Sequence, residues 1–369
     1  AEIVLVELGG TAGEYQNVLY YEASRIMKLK GNDTVVHVHV SYLPTPAHVG
    51  EPKTKPTQLS VKQLNAMSIQ PDFLVARTEA DLEERRRDRL ALFCNMHAED
   101  VIVNRDLPSI YQVPLNFHEQ GFDSKILAKL GLPDRESDLT AWSNFAKLAL
   151  AKKDKKIKLA IVGKYFKTGD YNLKDSYHAL FEALDHASIS TGIELNIKSI
   201  NSEIIEKEGT KQLEGVDAII VPIGWGARGT EGKIQAIKYA RENKIPYLGL
   251  CYGLQLAAIE YARNVVGLEG ASSTEINPES KYPIVHDIPF DPKYQRIKGN
   301  GVSMRLGGYD CHLKEGSLAH KIYGTTIISE RHRHRYEVNN DYRKQLEDAG
   351  LMISGTSPDD FFVEMIELP

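Results

Sequence analysis

The sequence predicts an α/β protein built from two doubly wound, mostly parallel domains. Three observations carry this. Apolar, strand-like runs alternate with helical periodicity from the N-terminus to about residue 105, and the alternation restarts at residue 157. Between the two, six lysines fall within Lys147–Lys158. At 369 residues, the chain is also long for a single core. Strands separated by helices imply parallel sheets covered on both faces.

The elements follow in order. "EIVLVELGG" (residues 2–10) reads as a buried strand closing on two glycines, and Tyr15–Gly31 shows apolar residues at three-to-four spacing. Thr34–Leu43 is β-rich. Residues 44–58, dense in Pro and Lys, read as a loop. A short helix around 60–67, a strand at 72–77, a charged helix at 79–94 and a strand at 100–105 complete the first domain, placed at 1–140. The lysine-rich stretch reads as a solvated linker, 141–156. The second domain, 157–369, opens with a strand at 157–163 and a helix near 175–189, then strands at 193–199 and 217–222. A helix at 231–243, a strand at 246–250 and a helix at 252–263 follow. In such domains sites form beyond the carboxyl ends of the strands.

Composition excludes several classes. Forty-five basic against fifty acidic residues give a formal charge of -5, no basis for nonspecific nucleic-acid binding. No apolar run approaches the roughly 20 residues of a membrane span, and no signal peptide is evident. Cys94, Cys251 and Cys311 form no CxxC pair, so neither a disulfide framework nor a thiolate zinc site is expected, and a reducing cytoplasm fits. The chain starts without Met inside a strand-like run and stops just after another, "VEMIEL". A fragment, or the ordered part of something longer, is expected.

Four motifs carry chemistry. "PYLGLCYGLQ" (246–255) places Cys251 in a Gly-x-Cys-x-Gly turn at a strand end, the cysteine version of a nucleophile elbow; a small structural cysteine is the competing reading. "IGWGARGTEGK" (223–233) has glycines at 224, 226, 229 and 232. Accessible N–H groups there suit a phosphate cradle, an oxyanion hole or a plain structural turn, and the loop lacks the GxxxxGK[ST] fingerprint. "RHRHRY" (331–336), if extended, puts His332 and His334 on one face and Arg331, Arg333 and Arg335 on the other, an exposed basic strand rather than a metal site. "KTKPTQ" (53–58) offers two lysines and two hydroxyls in a loop that is otherwise simply solvated.

These segments, with "ASSTEINP", "SMRLGGYDC", "ERHRHRYEVNN", "VELGGTAGEYQ" and "EPKTKPTQLSVKQL", resemble the CTP synthase family over nearly the whole chain. The resemblance implies a P-loop, dethiobiotin-synthetase-like amidoligase part followed by a flavodoxin-like class I glutamine amidotransferase. The implied reaction is ATP-dependent amination of UTP to CTP with ammonia released from glutamine. Cys251 matches the nucleophile and Gly224 the oxyanion glycine. Gln255, Glu275 and Arg335 match glutamine-binding positions, Glu275 suiting the ammonium and Arg335 the α-carboxylate. Glu7 matches a Mg2+ ligand. Lys53, Thr54, Lys55, Pro56, Thr57 and Gln58 match the pyrimidine-nucleotide site. Glu14, Tyr15 and Gln16 stand where Asp-Ile-Glu is usual, and Arg89 where a lysine is usual; both departures bear on base recognition and CTP feedback. The resemblance also implies GTP as an activator, CTP as feedback inhibitor, and a homotetramer that in some members forms filaments. The family's phosphate loop would lie upstream of Ala1 and its His-Pro-Glu downstream of Pro369. An incomplete fragment inactive by itself, or a non-catalytic nucleotide-binding assembly module, is therefore the alternative.

Overall fold

The computed structural model describes all residues except Val49, Ala80, 169–170, 173–174, 290–294 and 297–302; for 167–168, 171–172, 295–296 and 303 only the backbone is described. The segment "KTGDYNLKD" (167–175) and the stretch 294–308, whose glycine-rich composition suits a lid, thus fall largely outside the described residues. The chain divides into two compact units, Ala1–Lys152 and Lys153–Pro369.

The first unit holds a parallel sheet of β1 (Val38–Leu43), β2 (Phe73–Thr78) and β3 (Val101–Arg105), in that order. The middle strand buries alternate residues in opposite directions. Leu74 and Ala76 pack with Val61 and Leu90, while Phe73 and Val75 pack with Phe122. Helices α1 (Val18–Lys30), α2 (Lys55–Ala66), α3 (Glu84–Phe93), α4 (Val113–Glu119), α5 (Phe122–Leu130) and α6 (Thr140–Leu150) complete the unit.

Three expectations fail here. Residues 2–10 are not a strand: Val4, Leu5 and Val6 are 74, 93 and 76% exposed. A β-rich sequence becomes a strand only where a neighbour completes its ladder, and among the described residues none pairs with it. The 44–58 loop ends early, because α2 starts at Lys55 with Pro56 in its first turn, where a fixed φ and a missing N–H cost nothing. Most of the expected linker is helix α6, whose Trp142 and Phe145, three residues apart, both meet Tyr111: the Trp142 indole N–H donates to its carbonyl at 2.7 Å and Phe145 stacks edge-on at 4.9 Å.

In the second unit, β4 (Lys155–Gly163), β5 (Ile193–Asn201), β6 (Ala218–Val221) and β7 (Tyr247–Gly249) form a parallel sheet in the order β5-β4-β6-β7. This is the 2-1-3-4 order of a flavodoxin-like sheet. Helices α7 (His178–Thr191), α8 (Ser202–Glu208) and α9 (Thr230–Glu242) lie between its strands, and α10 (Tyr252–Tyr261) follows the last of them. Beyond it, β8 (Pro283–Asp287) pairs with a strand at Tyr336–Val338. A separate antiparallel sheet joins Ser303–Leu313, Ile327–His334, Met352–Thr356 and Val363–Glu367.

Candidate active site

Strand β7 leads straight into the cysteine turn. Leu250 N–H still donates to the Val221 carbonyl at 3.0 Å, and the next residue, Cys251, caps α10 with φ 53° and ψ -99°. Positive φ in a residue with a side chain is strained and persists only where the surroundings impose it. The flanking glycines show what imposes it. A Cβ at Gly253 would lie 2.0 Å from the Val221 carbonyl oxygen, and one at Gly249 would lie 2.6 Å from the Gly253 carbonyl carbon. The elbow is pressed against β6 so tightly that only glycine fits on either side of the cysteine.

Burial pushes the Cys251 thiol up to about 11, and Glu275 adds to this. The Tyr252 N–H and the Lys233 ammonium pull the other way. The thiol therefore rests protonated at neutral pH, and a nucleophilic role would require its proton to leave.

The loop after β6 faces this elbow. Gly226 and Gly229 adopt φ of 66° and 64°. The Gly226 N–H donates to Glu275 Oε1 at 2.9 Å, and burial raises the Glu275 carboxyl despite this bond and the nearby charges of Lys164 and Arg335. Gln255, buried on α10, donates its amide N–H to the Tyr336 carbonyl at 2.8 Å, tying the elbow helix to the strand that follows Arg335. Cys251, Glu275, Gln255 and Arg335 thus gather around the Gly224 loop at the carboxyl end of the sheet. In place of a free side chain gripping substrate, Gln255 has its nitrogen committed to the backbone.

His332 and His334 are half-buried while Arg331 and Arg333, before and between them, are exposed, as alternation requires. The two rings meet at 3.1 Å, His334 Nδ1 reaches the Tyr336 carbonyl at 2.9 Å, and His332 Nε2 lies 3.3 Å from Glu364. Burial drives both down to about 4, so both are neutral. Among the described residues no group of three or more His, Cys, Asp or Glu is arranged to hold a metal.

Four residues of this site escape a reading by motif: Lys164, Thr230, Lys233 and Tyr252. The Tyr252 hydroxyl bridges Thr230 Oγ1 at 2.8 Å and the Gly226 carbonyl at 2.9 Å, bracing the loop from below. Lys233 had a signal. It lies four and seven residues before Ile237 and Ala240, on the apolar face of α9, where a lysine must be buried.

In the first unit, Lys53 and Arg86 clasp Glu51 at 2.6 Å each, which holds the Glu51 carboxyl down at about 2. Thr54 caps α2 without a side-chain bond to its first turn; Pro56 has no N–H and the Gln58 N–H donates to the Thr54 carbonyl at 3.1 Å, which leaves the Lys55 and Thr57 N–H groups beside Lys53 and the exposed Lys55. Thr57 is fully buried and its hydroxyl meets Ser41 Oγ at 3.0 Å and the Tyr42 carbonyl at 3.3 Å, so the expected second hydroxyl donor is already used within the fold. Gln58 is buried as well, with its amide on Thr54 Oγ1 at 3.2 Å. Pro56 shapes the helix start. Arg89 is exposed on α3, its guanidinium over the Phe93 ring. Glu7, Glu14, Tyr15 and Gln16 are exposed, and Glu14 lies against Gly10.

This geometry combines a cysteine-elbow amidotransferase unit with a parallel-sheet unit bearing a cationic helix start, the makings of a glutamine-dependent ligase. The family described as CTP synthase N-terminus matches residues 1–132, and that described as glutamine amidotransferase class-I matches 172–369. The chain is 48% identical over 370 residues to a CTP synthase of Thermococcus gammatolerans, covering all of this chain and 68% of the relative. It is 47% identical over 375 residues to that of Methanocaldococcus jannaschii, with the same coverage. Among solved structures, the Trypanosoma brucei CTPS glutaminase domain with bound acivicin is similar at 38% identity and a TM-score of 0.52, across 58% of this chain and 81% of that one. The chain belongs to the CTP synthase family, glutamine-hydrolysing ligases that use ATP to convert UTP to CTP. Among the described residues, no helix is long and apolar enough to cross a membrane.

Proposed function

We propose that the second unit hydrolyses glutamine at Cys251 and that the ammonia serves amination at a uridine site built on the first. The strained elbow carries this reading: Cys251 at φ 53° beside a loop whose Gly226 N–H faces the substrate-binding Glu275. The thiol gives up its proton, and sulfur attacks the side-chain amide carbon of glutamine to form an S–C bond and an oxyanion. Collapse breaks the C–N bond, and the nitrogen leaves as ammonia with the thiol's proton. Water then cleaves the thioester, its hydroxyl completing glutamate and its remaining proton restoring the thiol. Glu275 receives the substrate ammonium and Arg335 its α-carboxylate, while Gln255 fixes the backbone next to Arg335.

In the first unit, Lys53, Lys55 and the open N–H groups of α2, with Thr54, receive the UTP phosphates. Thr57 and Gln58 hold that helix start in place, and Arg89 and the Glu14–Gln16 segment face the nucleoside. Glu7 offers one exposed carboxylate, which fits a Mg2+ that keeps several waters and takes its remaining ligands from phosphates; the ion would neutralise phosphate charge there. ATP as phosphate donor, GTP as activator, CTP as feedback inhibitor, a homotetramer able to form filaments and a cytoplasmic setting for three free cysteines complete the reading.

The test uses the whole protein with Cys251→Ala. CTP formation from glutamine should be abolished, whereas formation from ammonium chloride should persist. Loss of both together would refute the separation of sites.

A further inference from the structure

Lys233 is a lysine where volume alone calls for Met or Leu. It is fully buried, among the largest such side chains in the chain. Its Nζ donates to the Pro222 carbonyl at 2.9 Å and the Ile223 carbonyl at 3.4 Å, with the Tyr252 ring 5.4 Å away. A Cβ built on Gly224 would come within 3.2 Å of that nitrogen, so the ammonium sits directly against residue 224. A second buried lysine, Lys164 at the end of β4, works on the next peptides. It donates to the Trp225 carbonyl at 2.7 Å and the Gly226 carbonyl at 2.5 Å, and lies 4.6 Å from the same Tyr252 ring.

The carbonyl oxygen and the amide hydrogen of a trans peptide point in opposite directions. Holding the Trp225 carbonyl on Lys164 therefore turns the Gly226 N–H the other way, where it meets Glu275 at 2.9 Å. The same geometry applies one peptide earlier. With the Ile223 carbonyl held by Lys233 at 3.4 Å and by the Tyr177 hydroxyl at 3.3 Å, the Gly224 N–H must face away from both donors. Two buried ammoniums thus hold the carbonyls of residues 222, 223, 225 and 226 on one side and leave the N–H groups of 224 and 226 on the other.

We propose that Lys233 is a positioning residue for glutamine hydrolysis: it orients the Ile223–Gly224 peptide so that the Gly224 N–H meets the oxyanion formed on the Cys251-bound carbon. This rests on Cys251 being the nucleophile. The charged and titratable groups around it are Lys164, Cys251 and Tyr252, with Glu275, Arg228, Glu203 and Glu206 acting on Lys164. Burial lowers Lys233 to about 7 and Lys164 to about 8, the mutual repulsion adding to the first. An ammonium kept at such a position is compensated by the four carbonyls it and its neighbour bind.

The experiment compares Lys233→Met and Lys233→Arg in the whole protein by steady-state glutamine hydrolysis. Losing an oriented oxyanion donor should lower kcat of the Met variant on the order of 100-fold, with KM for glutamine within about threefold of wild type. Arg, which keeps charge and donors, should recover part of the loss. A Met variant whose kcat stays within about threefold of wild type overturns the proposal. Should the Met variant fail to fold, the wild-type Gly224 amide resonance decides: it should shift when Cys251 is alkylated with iodoacetamide, and a stationary resonance overturns the proposal. If Cys251→Ala hydrolyses glutamine as fast as wild type, the nucleophile assignment itself fails and the inference with it.

Discussion

The two units treat charge in opposite ways. In the second, ionisable groups are buried: Lys164, Lys233, Glu260, Arg305 and Glu337 are each 5% exposed or less. In the first, the ion pairs lie at or near the surface, as in Lys53–Glu51–Arg86 and Lys28–Asp72, with side chains 20–43% exposed. Buried charge is costly unless its partners are fixed beforehand, and fixed partners are what a reaction with a developing oxyanion needs. A triphosphate arrives with its own charge and counter-ion, so the side that binds it needs reachable cations and open N–H groups rather than a rigid interior. On the proposed reading, the glutamine side is preorganised down to single peptide planes, and the nucleotide side is a surface.

The largest expected break in this contrast is Gly253→Ala. The added methyl would have to displace the Val221 carbonyl from 2.0 Å, and the elbow would move off β6. Stability should fall by about 3 kcal/mol or more and glutamine-dependent CTP formation should be lost. Chemical denaturation and the two nitrogen sources measure both effects. Retained glutamine use at wild-type stability would show that the elbow is not held by that contact.

How far the sequence discloses each unit follows from the same contrast. The elbow is legible because its glycines, its cysteine and the preceding apolar strand are consecutive, and steric demands of a few neighbouring residues leave a local pattern. Lys233 shows only as a lysine at the wrong helical spacing, since what it holds is ten residues away. Residues 2–10 mislead because β propensity describes a fit to a neighbouring strand, and propensity is silent on whether the neighbour is there. The α2 start is missed because Pro and Lys after a strand read as loop, whereas Pro in a first turn is a helix opener. Thr57 reads as a phosphate donor until the fold shows Tyr42 and Ser41 taking its hydroxyl.

A smaller effect should separate a buried ionisable group that works from one that is merely tolerated. Glu337 is buried with both carboxylate oxygens lacking a hydrogen-bond partner, 3.7 Å from His286, and burial lifts it to about 8. Raised from about 4.3 in the unfolded chain, it keeps its proton when folded across that interval, so its share of stability is intact below about pH 4 and declines until about pH 8. Glu337→Gln removes this decline. The variant should match wild type near pH 4 and exceed it by at least about 1 kcal/mol at pH 8. Urea denaturation at the two pH values reads the difference, and parallel curves would mean that Glu337 is ionised and paired.

The smallest effect tests the open surface itself, by setting Thr54→Ala against Thr57→Ala. Thr57 is buried and bonded to the Tyr42 carbonyl, so its loss should cost about 1 kcal/mol of stability through an unmet acceptor, and raise KM for UTP only as far as α2 shifts. Thr54 makes no side-chain bond to the backbone of the first turn of α2 and its hydroxyl accepts from the Gln58 amide at 3.2 Å, so its removal should cost less stability than that of Thr57, within about 0.5 kcal/mol, while KM for UTP rises several-fold. The two threonines stand three residues apart in one motif, and only their surroundings distinguish them. If instead both variants lose stability equally and neither changes KM, the helix start is scaffold throughout, and the cations that receive UTP must lie elsewhere on the first unit.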